Sequence, residues 1–458
     1  MANKVKTINP TTEQTVAEYT LATEQEANEA VDAAHQAFLE WKKTDFDERK
    51  RLMNNLADEI EKQSDTILNL MVKEMGKVVE QGKQEIELCA AICRYTADQG
   101  ASVLKDEDRE YEGGSAIITF QPIGVILGIQ PWNFPLYQVI RYSAANIMAG
   151  NTTVMKHSQN VFGMAELITK LYQDAGFPKH VYHSLLIDGK TASALIQHDK
   201  VRGVTFTGSD EVGKSVAETA AGLSKKTVLE LGSNDAYVVL SDADIKTAVE
   251  ACVQGRIVNN GETCVAAKRF IISASVYDEF KQQFLSAFKA LKVGDPEAKD
   301  TDLGPMARED LRDKLHNQVK ESIDSGANLL LGGEIPDTTG WFYPVTVLEN
   351  IKPGMPAYDD ELFGPVASLI KAESDADAMR IANDSRYGLG GGIFTKDKKK
   401  AIKLARDEFD TGMVNINGYS LAQPNLPFGG VKNSGYGREH GGFGMREFVN
   451  EKTIFIAD

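Results

Sequence analysis

Cysteine is scarce. Cys89, Cys93, Cys252 and Cys264 are the only four in 458 residues, too few for a disulfide framework in so long a chain. Histidine is scarce as well. Of seven, only His180 and His183 stand three apart, with no third ligand near in sequence, so no metal site is expected. Nor do the histidines form a Ser/His/Asp arrangement. Positive charge is in deficit. The chain has 50 Lys and Arg against 66 Asp and Glu, a net charge of −16 with no basic cluster. That excludes nucleic acid as a partner held through its phosphates. Long apolar runs are missing. The most apolar stretch, Ile123 to Ile129, is short and carries Gly124 and Gly128, so it cannot span a bilayer and no membrane partner is expected. Met1 to Pro10 lacks the apolar core of a signal peptide, which makes a cytoplasmic location the expectation.

The remaining composition is that of a globular protein, 42% hydrophobic and 25% charged, and the length allows two or three domains. Residues 23 to 104 read as helices. Ala27, Ala30, Val31, Ala34, Ala37, Phe38 and Trp41 form one stripe at helical spacing; Leu52, Leu56 and Ile60 begin another. Cys89 and Cys93, one turn apart on a third helix, read as core. Ser115 to Gln121 reads as an isolated strand. Short apolar runs then alternate with helical ones. The strands are Val125–Ile129, Thr152–Met155, Val181–Leu186, Gly203–Phe206 and Thr227–Leu231. The helices between them are Tyr137–Met148, Phe162–Ala175, Ala192–Gln197 and Glu211–Ala221. This βα alternation predicts a parallel, doubly wound sheet with a site at the strand C-termini. A second α/β unit starts at Ala236, with strands near 237–240, 269–273, 344–348, 367–371 and 391–394, and 354–363 as a loop. A last strand covers Thr453 to Ala457.

Four stretches could carry chemistry. Cys264 lies in Asn260-Gly261-Glu262-Thr263-Cys264, between a helix (Ile245 to Val258) and a strand. Thiols at such junctions can be partly exposed nucleophiles, although a buried structural cysteine is the plainer alternative. Pro131-Trp132-Asn133-Phe134-Pro135 fixes an amide in a rigid loop after a strand, where it could donate to an oxyanion or merely close a turn. Glu230 ends a strand, as a general base or as a carboxylate beside a turn. Gly208 to Ser215 satisfies GxxxxGK[ST], the pattern of a P-loop NTPase. Asp210 and Glu211 would repel a polyphosphate there, so the context better suits a helix N-terminus facing one pyrophosphate.

Together these pieces resemble the aldehyde dehydrogenase superfamily, and most closely its bacterial succinate-semialdehyde dehydrogenases. The segments are Pro131–Pro135, Phe206-Thr207-Gly208-Ser209, Glu230-Leu231-Gly232, Asn260–Cys264, Glu361-Leu362-Phe363-Gly364-Pro365-Val366, and Pro427–Lys432 followed by Gly437-Arg438-Glu439. The resemblance implies an α/β fold with three parts. A Rossmann-type NAD(P)-binding domain would take 1–107 and 123–232, and a catalytic domain 233–432. A small β oligomerisation arm, 108–122 with 433–458, would add to a neighbour's sheet in a homodimer or homotetramer. It implies oxidation of an aldehyde to an acid, with Cys264 as nucleophile, Asn133 as oxyanion donor and Glu230 as the base that activates water. Trp132, Lys156, Ser158, Gln159, Gly208, Ser209, Leu231, Glu361 and Phe363 would hold the cofactor. Gln159 stands where NAD-preferring members often carry Glu, which favours NADP over NAD, since an amide does not repel a 2′-phosphate.

For the substrate, the resemblance implies a small aldehyde bearing a carboxylate, succinate semialdehyde, gripped by Arg141 with Arg256, Tyr137 and Phe428 beside it. Arg141 stands eight residues after Asn133, just over two helical turns, so both are expected to face one tunnel; an ion pair at the surface or between subunits is the alternative. Some members carry a second arginine at the position of Val258; here the nearest is Arg256. Glycolaldehyde, lactaldehyde and glyceraldehyde 3-phosphate remain alternative substrates, as does a non-enzymatic binding role. Ala266 excludes a disulfide partner two residues beyond the nucleophile.

Overall fold

In a computed structural model, which describes residues 3–457, the first 103 residues form a hairpin and a helical cover. The hairpin pairs Lys4–Ile8 with Thr15–Thr20; no strand is expected there from the residues alone, because about half of them are polar. The helix Glu24–Trp41 starts at a capping box, Thr23 and Glu26 satisfying each other's backbone N–H groups. It buries Ala27, Val31, Ala34, Phe38 and Trp41 of the expected stripe, with Ala30 and Ala37 half-buried at its edge. Leu52, Leu56 and Ile60 are buried on Phe46–Lys62, and Cys89 and Cys93 on Val79–Val103.

The βα alternation builds a six-stranded sheet in the order Gly435–Tyr436, Lys226–Glu230, Val201–Thr207, Val125–Gln130, Thr152–His157, Tyr182–Leu185. All neighbours are parallel except the first pair. The chain winds outward from Val125–Gln130 in one direction, then returns to place Val201–Thr207 on its other side. A crevice must open where the winding reverses, beyond the strands' C-terminal ends. The helix Tyr137–Met148 follows the central strand and is buried all round. Its few polar side chains, Arg141 among them, therefore need partners inside the protein.

The second unit is a seven-stranded sheet in the order Asn328–Leu331, Thr346–Glu349, Val366–Ala372, Arg269–Ser273, Ala236–Val239, Gly391–Phe394, Asn415–Ile416. It is parallel apart from the outermost Asn328–Leu331. The expected loop at 354–363 contains one helical turn, Pro356–Asp359, which proline at its first position favours. A three-stranded antiparallel sheet joins Glu107–Tyr111, Gly114–Pro122 and Val449–Ala457. Residues 433–448, assigned from the sequence to this arm, follow the first sheet instead. Gly435–Tyr436 extends it, and the short helix Phe443–Glu447 packs on Tyr137–Met148 and Val79–Val103. No helix among the described residues is long and apolar enough to cross a membrane.

Candidate active site

The C-terminal ends of the first sheet face the N-terminal ends of the second across a cleft of about 370 Å³. Pro131–Asn133, Thr207–Ser209 and Glu230–Gly232 line it from one side, each at the C-terminal end of a strand. Cys264, Glu361 and Phe363 line it from the other, each preceding one. Behind the thiol lies a second, smaller cavity of about 20 Å³, walled by Phe134, Tyr137, Val265, Leu421 and Phe428 among others. Cys264 borders both. Of the four cysteines, Cys264 alone is not fully buried; it is half-buried, whereas Cys89, Cys93 and Cys252 are buried.

The backbone before the thiol explains its placement. Asn259, Asn260 and Gly261 take three consecutive left-handed conformations, at φ 56°, 58° and 79°, which Asn and Gly tolerate best. A Cβ on Gly261 would lie 2.4 Å from the carbonyl carbon of Gly364. Gly261→Ala should thus cost more than the roughly 1–2 kcal/mol of left-handed strain alone. We expect a lower thermal midpoint together with a greater than tenfold loss of activity; a variant with the wild-type midpoint and rate would refute this account of the turn.

Asn133 is tied to this turn. Its Nδ2 donates to the Glu262 carbonyl at 3.1 Å, and Gln138 Nε2 donates to its Oδ1 at 3.2 Å, which fixes which end of the amide faces the nucleophile loop. Asn259 Nδ2 donates to the carbonyls of Asn133 (2.8 Å) and Glu262 (3.1 Å), joining the two loops. Glu230 is buried, and neither carboxylate oxygen has a hydrogen-bond partner. Burial holds its carboxyl well above the usual range; Arg141 pulls it down and Glu439 pushes it up. Burial also pushes the Cys264 thiol up to about 12, against the pull of Arg141 and Lys268.

Of the expected cofactor contacts, Trp132, Gly208, Ser209, Leu231, Glu361 and Phe363 line the cleft. Trp132 and Phe363 meet edge to face at 5.9 Å across it. Lys156, Ser158 and Gln159 do not line it; they stand at the C-terminal end of the neighbouring strand Thr152–His157, half-buried, with Ser158 Oγ donating to Asn160 at 2.7 Å. Ser209 caps the helix Asp210–Gly222, accepting from Val212 N–H at 3.5 Å. Lys214 turns outward to within 3.8 Å of Asp210, away from where a P-loop lysine must point. The residues suit a dinucleotide: a helix N-terminus for its pyrophosphate, a carboxylate in the cleft wall for a ribose and two aromatic rings.

The substrate candidates lie elsewhere than expected. Arg141 does not share a tunnel wall with Asn133. It is buried behind Tyr137 and Phe428, over whose rings its guanidinium lies at 5.3 and 4.9 Å, and it forms an ion pair with Glu439. Its Nη2 donates to Thr207 Oγ1 at 3.0 Å, while Nη1 has no partner. A two-turn offset ignores that every face of this helix is covered. Arg256 is also buried outside both cavities and donates to the Gly261 carbonyl at 2.6 Å. Tyr137 hydroxyl meets His440 Nε2 at 2.9 Å; Tyr137 and Phe428 do line the smaller cavity. Lys268, Glu439, Gln138 and Asn259 had no assigned roles. Lys268 stands four residues after the thiol, and Glu439 belongs to a motif noted above, so those two carried a signal.

A doubly wound sheet with a cleft at its reversal point, facing a second parallel sheet, defines a two-unit α/β architecture of the dinucleotide-binding class. The sequence model of the Aldehyde dehydrogenase family matches residues 1–454. A Synechocystis sp. protein named a probable succinate-semialdehyde dehydrogenase (NADP(+)) is 43% identical over 99% of this chain and 100% of its own. The succinate semialdehyde dehydrogenase (NAD(P)+) of Escherichia coli is 41% identical over 98% of this chain and 97% of its own. The crystal structure of a Streptococcus pyogenes succinic semialdehyde dehydrogenase in complex with NADP+ superposes with a TM-score of 0.97 at 37% identity, covering 99% of this chain and 100% of that one. The chain belongs to the Aldehyde dehydrogenase family.

Proposed function

We propose that the protein oxidises succinate semialdehyde to succinate with NADP+, and less readily with NAD+. The observation that carries the chemistry is the pairing of Cys264 with an unpartnered Glu230 across one cleft. Cys264 as thiolate attacks the aldehyde carbon. The Asn133 amide, already oriented by Gln138, and the Cys264 backbone N–H receive the charge that develops on the aldehyde oxygen. NADP+ held in the cleft would supply the hydride acceptor; loss of hydride from the former aldehyde carbon leaves a thioester on Cys264. Glu230 then takes a proton from water as it attacks the thioester on Cys264, which releases the acid and frees the thiol.

Arg141 supports the choice of a carboxylate-bearing substrate. Its Nη1 is buried and unpartnered, its guanidinium lies over the Tyr137 and Phe428 rings that line the smaller cavity, and a hydrogen bond to a charged group is worth about 1.5–3 kcal/mol. Arg141→Met should raise KM for succinate semialdehyde by about 10- to 150-fold, while butanal, which has no carboxylate, keeps its KM. Equal losses with both aldehydes would mean that Arg141 serves only to hold Glu439. The names of the two relatives favour the same substrate. For the cofactor, no carboxylate occurs among Lys156, Ser158 and Gln159 to repel a 2′-phosphate; the Synechocystis relative is named for NADP(+) and the Escherichia coli one for NAD(P)+. A steady-state panel of succinate semialdehyde, glycolaldehyde, lactaldehyde and glyceraldehyde 3-phosphate against NADP+ and NAD+ tests the whole reading; a higher kcat/KM for any of the other aldehydes overturns it.

In this reading residues 1–107 and 123–232 bind the cofactor in a cytoplasmic enzyme and 233–432 carry the nucleophile. The arm closes a homodimer or homotetramer. Val449–Ala457 is an edge strand with Ile454, Phe455 and Ile456 exposed, Phe455 to 71%, and an apolar open edge favours pairing with a second chain.

A further inference from the structure

Lys268 is 2% exposed, and its ammonium reaches three acceptors. Nζ donates to the carbonyl of Cys264 at 2.5 Å and of Thr263 at 3.2 Å, and pairs with Glu361 Oε1 at 3.2 Å. Three donors meet three oxygens, so the group is satisfied only while Glu361 stays turned towards it. Glu361 also accepts from Ser233 N–H at 3.1 Å and lines the cleft. A single buried cation thus bridges the nucleophile turn and the carboxylate assigned to the cofactor.

We propose that Lys268 is a positioning residue that couples occupancy of the cleft to the reactivity of Cys264. The inference rests on Glu361 being the cofactor's ribose contact. With the cleft free of cofactor, Glu361 offsets the Lys268 charge. When ribose hydroxyls donate to Glu361, its carboxylate is shared with them, and the Lys268 charge acts on the thiol with less opposition. Direction follows from sign. A cation beside a thiol favours the thiolate and an anion disfavours it. The charged groups facing Cys264 are Arg141 from the buried helix, Lys268 from its own loop, Glu361 from the loop before Val366–Ala372, and Glu230 from its strand end. The Tyr137 and Tyr419 hydroxyls complete the surround. Of these, Glu361 is the one already paired with Lys268 and reachable from the cleft.

The test is alkylation of Cys264 by iodoacetamide, read by intact mass across pH, with and without NADP+, in wild type, Lys268→Met and Glu361→Gln. Cys89, Cys93 and Cys252 are fully buried, so one adduct is expected. NADP+ binding is followed separately by tryptophan fluorescence, through Trp132 in the cleft wall. In wild type, NADP+ should shift the alkylation midpoint to lower pH and raise the rate near neutrality about tenfold. Lys268→Met should alkylate more slowly and lose that response while still binding NADP+. Glu361→Gln should alkylate faster than wild type without cofactor. A Lys268→Met protein with the full wild-type response overturns the coupling, as does a Glu361→Gln protein at the wild-type rate. The Glu361→Gln arm decides alone if Lys268→Met does not fold. A wild type that binds NADP+ without any shift also overturns it. A wild type that binds neither NADP+ nor NAD+ fails the functional reading itself.

Discussion

Cys264→Ala is expected to remove aldehyde oxidation, by about 10,000-fold or more. No other thiol can take over, because Cys89, Cys93 and Cys252 are sealed in apolar cores. A neighbouring hydroxyl is no substitute either. Thr263 Oγ1 is committed as a donor to the Val258 carbonyl at 3.1 Å, and a hydroxyl is a far weaker nucleophile than a thiol. The loss should be chemical and not structural. Cys264 is half-buried and borders two cavities, so deleting its sulfur leaves little new void, and a stability change within about 1 kcal/mol is expected. Absorbance of reduced cofactor, with thermal unfolding and cofactor binding as controls, gives the result. Residual turnover within a hundredfold of wild type, in a protein that folds and binds normally, would remove Cys264 from the mechanism.

How far the sequence carries this site depends on where each partner comes from. The two strands flanking the crevice were legible because their apolar runs are short and bounded by turn residues, and Arg269–Ser273 and Gly391–Phe394 match the expected spans. The loop carrying Asn133 was legible for the same reason, its prolines fixing it after a strand. Cys264 was ambiguous alone, since burial is not written in its neighbours; half-exposure arises from two cavities that meet only in the fold. The environment of Arg141 was not legible. Its partner Glu439 comes from the far end of the chain, and helical spacing says nothing about which face a distant segment covers. Lys268 stands just before the strand Arg269–Ser273, close enough to the thiol to be noticed, yet two adjacent basic residues do not reveal their partners. Only the folded loop shows that both are buried, Lys268 on Glu361 and Arg269 on the carbonyls of Asn234, Ile381 and Ala382.

Glu230→Gln should separate the two halves of the reaction. An amide cannot accept water's proton, so hydrolysis of the thioester should slow by about 100- to 10,000-fold, while formation of the thioester, which does not use Glu230, persists. The expected trace is one equivalent of reduced cofactor per Cys264, then a near halt, with the acyl adduct visible by mass. Unchanged steady-state turnover would exclude Glu230 as the base. The wild-type pH dependence follows from the same burial. Glu230 has its ionisation raised well above the ordinary 4.5 by loss of solvent, with Arg141 opposing and Glu439 reinforcing. Below that raised value the carboxyl is neutral and cannot act as a base, so hydrolysis quickens as pH climbs through it. Stability runs the other way. A folded-state value above the unfolded one means the neutral carboxyl's advantage is complete below the ordinary glutamate range and is lost as pH rises through the folded value. The ionised form that catalysis needs is therefore the form the fold tolerates least. Glutamine stays neutral throughout. Glu230→Gln should accordingly match wild type in thermal stability at low pH and exceed it once wild-type Glu230 ionises. A catalytically impaired variant with a midpoint below wild type at every pH would show that the carboxylate is held by contacts that stabilise its charge, contrary to its two unpartnered oxygens.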